Sequence, residues 1–191
     1  MDPTMQSPIQ YGIPFSDGRR ITVPSGPHHY QTETWVGSAK QGNTPLAAFE
    51  ALKRHAIPFQ GDHNSADGAT MDVYGLGPIR QHVDDDRLQV VNSTMPGHRL
   101  HPGNVFRSVV QRGDDLYVVT EGYGTGIFPD ANERGKIIWS WPDREIKREL
   151  DSGNASAATG TRSGPEGQAA PSAQPVDRPE HRIPPPIFSP N

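Results

Sequence analysis

The chain has 191 residues, with 20 Gly, 20 Pro, no Cys, 32% hydrophobic residues and a formal net charge of −4. Gly and Pro make up about a fifth of it against an average of roughly 12%, too many breakers for a helical bundle. The lack of Cys excludes disulfide scaffolds, thiol catalysis and Cys-ligated zinc, and the net charge gives no global attraction to nucleic acid or anionic membranes, although a local basic groove is compatible with it.

Residues 1–43 are rich in Pro, Gly and polar residues and are expected to wrap a core rather than supply it; within them Arg20–Val23 and Thr32–Val36 read as short edge strands. A helix should start at Thr44, the N-cap, with Pro45 at the first helical position and Leu46, Phe49, Leu52 and Ala56 at helical spacing. Lys53, Arg54 and His55 suit its C-terminal dipole, and Pro58 ends it. Asp62-x-Asn64-x-x-Asp67-Gly68 reads as a turn. Thr70–Tyr74 and Arg87–Val91 are β-prone runs, with Asp84-Asp85-Asp86 as a solvated turn between them. Residues 104–111 alternate Val105, Arg107 and Val109 with Phe106, Ser108 and Val110, and residues 116–121 return after Arg112-Gly113-Asp114-Asp115, which predicts a hairpin.

A last helix is expected from Pro142 to Leu150, burying Ile146 and Leu150 behind Trp139 and Trp141. The fold class that results is α+β: a small antiparallel sheet with a central hairpin, flanked by two helices. Residues 44–150 would form the core domain. Residues 151–191 contain only Val176, Ile183, Ile187 and Phe188 as large apolar residues, too few to offset the entropy of ordering, and read as a disordered tail rich in Pro, Gly, Ala and Ser. Arg182–Phe188 within it favours polyproline II, the form of a docking peptide.

The densest group of polar residues flanks the hairpin. Pro96–Gly103 places His98, Arg99 and His101 on a loop closed by Pro-Gly at both ends, just before the strand that carries Arg107. The partner strand ends in Thr120 and Glu121 and runs into Gly122-Tyr123-Gly124-Thr125-Gly126, so these strand ends lie side by side. A metal-independent ribonuclease would suit such a group: His98 and His101 as acid and base, Arg99 or Arg107 on the phosphate, and Thr120 or Thr125 as a hydroxyl donor, with Glu121 alongside. Each residue also has a structural reading. His101 would cap the loop by bonding backbone carbonyls, and Arg107 would pair with Asp115 or Glu121. No metal or cofactor is expected: His98-x-x-His101 lacks a helix to fix its spacing and a third ligand, and the Gly122–Gly126 repeat is followed by Ile127-Phe128-Pro129-Asp130 rather than by the helix a dinucleotide site needs, leaving a flexible loop.

The stretch Asn92–Arg107, which contains PGHxxHxGxVxR, followed by the strand from Val118 and the Gly122–Gly126 loop, resembles a domain found at the C-terminal ends of bacterial polymorphic toxins and related secreted effectors. The resemblance spans about 35 residues. It implies a toxin-like effector, delivery by a specialised secretion system or retention in the cytoplasm, and an immunity or chaperone protein as partner, with RNA as the substrate in the ribonuclease reading. The alternative function is a non-enzymatic interaction module binding a partner through the loop face and the proline-rich tail. Apolar runs of a few residues do not span a bilayer, and MDPTMQSPIQ has neither a basic nor an apolar signal region, so no membrane span and no cleavable signal peptide are expected.

Overall fold

The structure, a computed structural model, describes residues 11–160 except 25, 27, 62 and 126–130. The chain forms a two-stranded hairpin of β1 (Tyr11–Pro14) and β2 (Arg20–Val23), then β3 (His28–Ser38), α1 (Pro45–Arg54), β4 (Thr70–Val73), β5 (Gly77–Asp84), β6 (Gln89–Thr94), β7 (Gly103–Arg112), β8 (Asp115–Gly124) and α2 (Ala131–Gly160). The last six strands form one sheet in the order β3-β8-β7-β6-β5-β4, antiparallel throughout. Two helices against this sheet make the fold α+β.

The start of α1 follows from its first residues. The Thr44 side chain accepts the Ala47 N–H at 3.1 Å, and Pro45 loses nothing at a position whose N–H has no helical partner. The helix then buries Ala48, Phe49, Ala51 and Leu52. The central hairpin also forms as its alternation predicts, with Val105 opposite Gly122, Arg107 opposite Thr120 and Val109 opposite Val118. Those pairs share one face of the sheet, and the helices cover it: Val36, Val90, Val109, Leu116 and Val118 pack with Phe49, Leu52, Ile146 and Leu150. The other face presents Val91 and Phe106, over which the β1–β2 hairpin lays Phe15 and Val23.

Several expectations change. The N-terminal segment does more than wrap the core, because the run around Thr32–Val36 extends into an 11-residue strand, β3, at the edge of the main sheet. The run expected at Arg87–Val91 lies two residues later, and β5 supplies a strand the sequence reading left out. Of the three aspartates, Asp84 is buried and its carboxylate accepts from the Ser16 N–H and hydroxyl, tying the β1–β2 hairpin to the sheet. The expected helix from Pro142 to Leu150 is the middle of α2, which runs 30 residues and passes through Pro142. Gly135, Trp139, Asp143, Ile146 and Leu150 recur every three or four residues along it and form one buried stripe. Helix therefore continues to Gly160 where tail was expected, while residues 161–191, with the docking-peptide segment, lie outside the described residues. The β8 strand reaches Gly124, so Gly122-Tyr123-Gly124 is paired backbone rather than loop.

Candidate functional site

Where β3 begins, β8 ends and β7 begins, the sheet parts from α2 and encloses a cavity of about 350 Å³. Its walls come from four places: Ile57 and Pro58 after α1, Val73, Leu76 and Ile79 around the β4–β5 turn, Val105 on the sheet, and Ile138 and Trp139 on α2. The Pro96–Gly103 loop closes one side with His98, Arg99 and Leu100. Phe59, Tyr74 and Ile137 are 66%, 91% and 72% exposed, and each adjoins a lining residue in sequence. The Phe59 ring lies 5.9 Å from that of Trp141.

Tyr30, on β3, is the polar group most tightly built into the wall. A Cβ at Gly122 would fall 2.2 Å from its ring, and one at Gly135 2.8 Å, so the ring occupies a slot between sheet and helix that two glycines leave open. Its hydroxyl oxygen accepts the Trp139 indole N–H at 2.6 Å. Burial pushes this phenol up to about 12 against the weaker opposing effects of the Trp139 bond and the Arg107 charge, so the proton stays on at neutral pH.

His98 is 8% exposed and lines the same cavity. The Leu100 N–H donates to its Nδ1 at 3.1 Å, which fixes the neutral ring as the Nε2–H tautomer. Burial, and secondly the neighbouring His101, lower its pKa from the ordinary 6.5. His101 opens into a different recess, of about 300 Å³, with Pro24, Thr22 and Pro102. Its Nδ1 lies 3.0 Å from the Thr94 carbonyl oxygen, as the loop-capping reading anticipated.

The remaining residues of the expected group separate. Arg107 is fully buried on the helix face, where it pairs with Asp143 of α2 rather than with Asp115 or Glu121. It also donates to the His55 carbonyl at 2.6 Å and to the Thr120 hydroxyl at 3.2 Å, and its guanidinium lies 4.8 Å from the Trp139 ring centre. Burial lowers Arg107 from its ordinary value while the Asp143 carboxylate works against the shift. Glu121 sits on the opposite face of the sheet, one register position from Thr120, where its carboxylate accepts the Tyr123 hydroxyl at 3.2 Å. The register thus puts Arg107 and Thr120 on one side of the sheet and Glu121 on the other. Thr125 donates its N–H to the Pro102 carbonyl at the strand end. Among the described residues no group of three or more His, Asp or Glu is placed to hold a metal ion, and no helix is long and apolar enough to cross a membrane.

Tyr30, Gly135 and Trp139 were missed in the sequence. The one available signal was Gly122: a glycine inside a β-prone run marks a close approach of something to the sheet.

No family model matches the chain, and no curated protein matches it by sequence. Solved structures resemble it at low identity. DynU16, a protein from the dynemicin biosynthetic locus, aligns with 65% of this chain and 48% of its own at 18% identity and a TM-score of 0.45. A protein from Nitrosospira multiformis aligns with 69% of this chain and 99% of its own at 11% identity and a TM-score of 0.44. One from Thermobifida fusca aligns with 65% and 93% at 16% identity and a TM-score of 0.43. All three TM-scores are below 0.5, so function has to be read from this chain's own residues.

Proposed function

We propose that this protein binds a small, mostly apolar molecule in the cavity between the sheet and α2. The observation that carries the reading is the cavity itself: about 350 Å³ walled by Ile57, Val73, Leu76, Ile79, Val105 and Ile138. Protein interiors pack as densely as organic crystals, so side chains lining a space of this size forgo contacts that a ligand would restore. Its volume lies at the low end of the roughly 300–1,000 Å³ typical of pockets for small organic ligands.

Titration with an environment-sensitive apolar dye tests this. One dye should bind per chain, and Val105→Trp, which puts an indole into the space, should weaken binding at least tenfold. Binding that Val105→Trp leaves unchanged, or none by the native protein, contradicts the reading. RNA cleavage at His98 and His101 is checked separately by incubating bulk RNA with the protein and a chelator. Intact RNA is expected, and cleavage that His101→Ala abolishes would put a nuclease in place of the binding protein.

A further inference from the structure

Two hydrogen-bond donors on the cavity wall have no acceptor among the described residues. The Tyr30 oxygen is already the acceptor for the Trp139 N–H, which leaves its own hydrogen to donate. The His98 Nδ1 is taken by the Leu100 N–H, which leaves Nε2–H. Both side chains line the cavity, and both are fixed: Tyr30 between Gly122 and Gly135, His98 by its bond to Leu100. Other polar groups on the wall are engaged. Asn92 donates to the Ala56 carbonyl and accepts from Gln81, and the Thr94 hydroxyl exchanges hydrogen bonds with the backbone of Gly103. Two fixed donors on the lining that no acceptor of the described residues takes up mark where a ligand's acceptor belongs.

We propose that the ligand of this cavity is a compact, neutral ring compound carrying a carbonyl or similar uncharged acceptor oxygen, received by the Tyr30 O–H and the His98 Nε2–H. The proposal rests on the cavity being the binding site and adds the chemistry of its occupant. Neutrality follows from the donors. Neither Tyr30 nor neutral His98 brings a charge, the buried cation Arg107 is matched by Asp143, and the two cations that line the cavity, Arg99 and Arg134, are both exposed to solvent. A desolvated carboxylate would need an unmatched cation beside it. The Trp139 N–H also polarises the Tyr30 hydroxyl, making it the stronger donor of the two.

The test compares 9-fluorenone with fluorene, which differ by one carbonyl oxygen, by calorimetric titration of the full chain. Fluorenone should bind about tenfold more tightly, the worth of one well-made neutral hydrogen bond in a dry site. Tyr30→Phe and His98→Asn should each reduce that preference, read as the ratio of fluorenone to fluorene affinity in the same variant, at least threefold. Asn is chosen because its side-chain oxygen can still accept the N–H two residues on, so the loop keeps its bond and only the cavity donor is lost. Should Tyr30→Phe melt below the assay temperature, His98→Asn decides alone. Dye binding without any preference for the ketone overturns the ligand class and leaves the cavity reading standing. Failure of dye, hydrocarbon and ketone alike overturns both. Laurate binding more tightly than fluorenone, and weakening when Arg99 or Arg134 at the mouth is replaced by Ala, overturns the proposal in favour of an anionic ligand.

Discussion

Arg107 shows how one buried residue organises this fold. Its charge sits at 0% exposure against Asp143, which also accepts the Thr34 hydroxyl at 2.6 Å, so one carboxylate joins β3, β7 and α2. Removing either partner strands a desolvated charge. Arg107→Met should cost about 3–5 kcal/mol in urea unfolding, and adding Asp143→Leu should recover most of that loss. Gly122 presents the opposite sensitivity, to added volume. Gly122→Ala should cost about 1–3 kcal/mol, because the new Cβ meets the Tyr30 ring, and much less in a Tyr30→Ala background. His98 makes stability depend on pH. Since burial favours its neutral form, the unfolded chain takes up the proton first, so stability is full above pH 6.5 and declines as pH falls through the lower folded value. Melting temperature should therefore drop between pH 7.5 and 5.5, and His98→Asn should flatten part of that slope. His82, lowered mainly by burial, adds in the same direction, while paired carboxylates such as Asp67 lose their contribution only at more acid pH.

Among the elements, α2 does two jobs along its length. Its later half buries Ile146 and Leu150 against α1 and the sheet, and its earlier half sets Gly135 and Trp139 against Tyr30 of β3 while Ile138 lines the cavity. Ile146→Ala should cost about 2–5 kcal/mol, and Ile138→Ala clearly less, since it enlarges a space that is already there. Denaturant midpoints of the two variants check the contrast. The α1 start was legible because Thr44 and Pro45 act within their own turn, and the β7–β8 hairpin because its alternation and turn are local. The full reach of α2 was not. Pro142 lacks an N–H and reads as a first helical residue, yet the buried stripe from Gly135 to Leu150 holds the helix across it. For β3, alternating polar residues and a Pro-rich approach concealed a strand whose length comes from pairing with β8.

At the scale of the molecule, the residues expected to gather at one site divide between the two faces of a sheet and between two recesses. Alternation already put Arg107 with Val105 and Val109, and the register extends the same logic to Thr120 and, on the far side, Glu121. What no local pattern could supply was the partner, Asp143, 36 residues away, or the cavity between the sheet and α2. A cavity has no residues of its own. It lies where α2, the sheet and the loops after α1 and β6 meet, and the sequence carries it only as small residues where a tyrosine must fit. On the proposal above, this space takes an apolar guest. Backbone amide NMR shifts on adding fluorenone test it most directly. Saturable shifts concentrated at Ile79, Val105, Gly122 and Ile138 are expected, with Val105→Trp abolishing them. Shifts confined to the exposed surface around Phe59 and Tyr74, or none at saturating ligand, would contradict it.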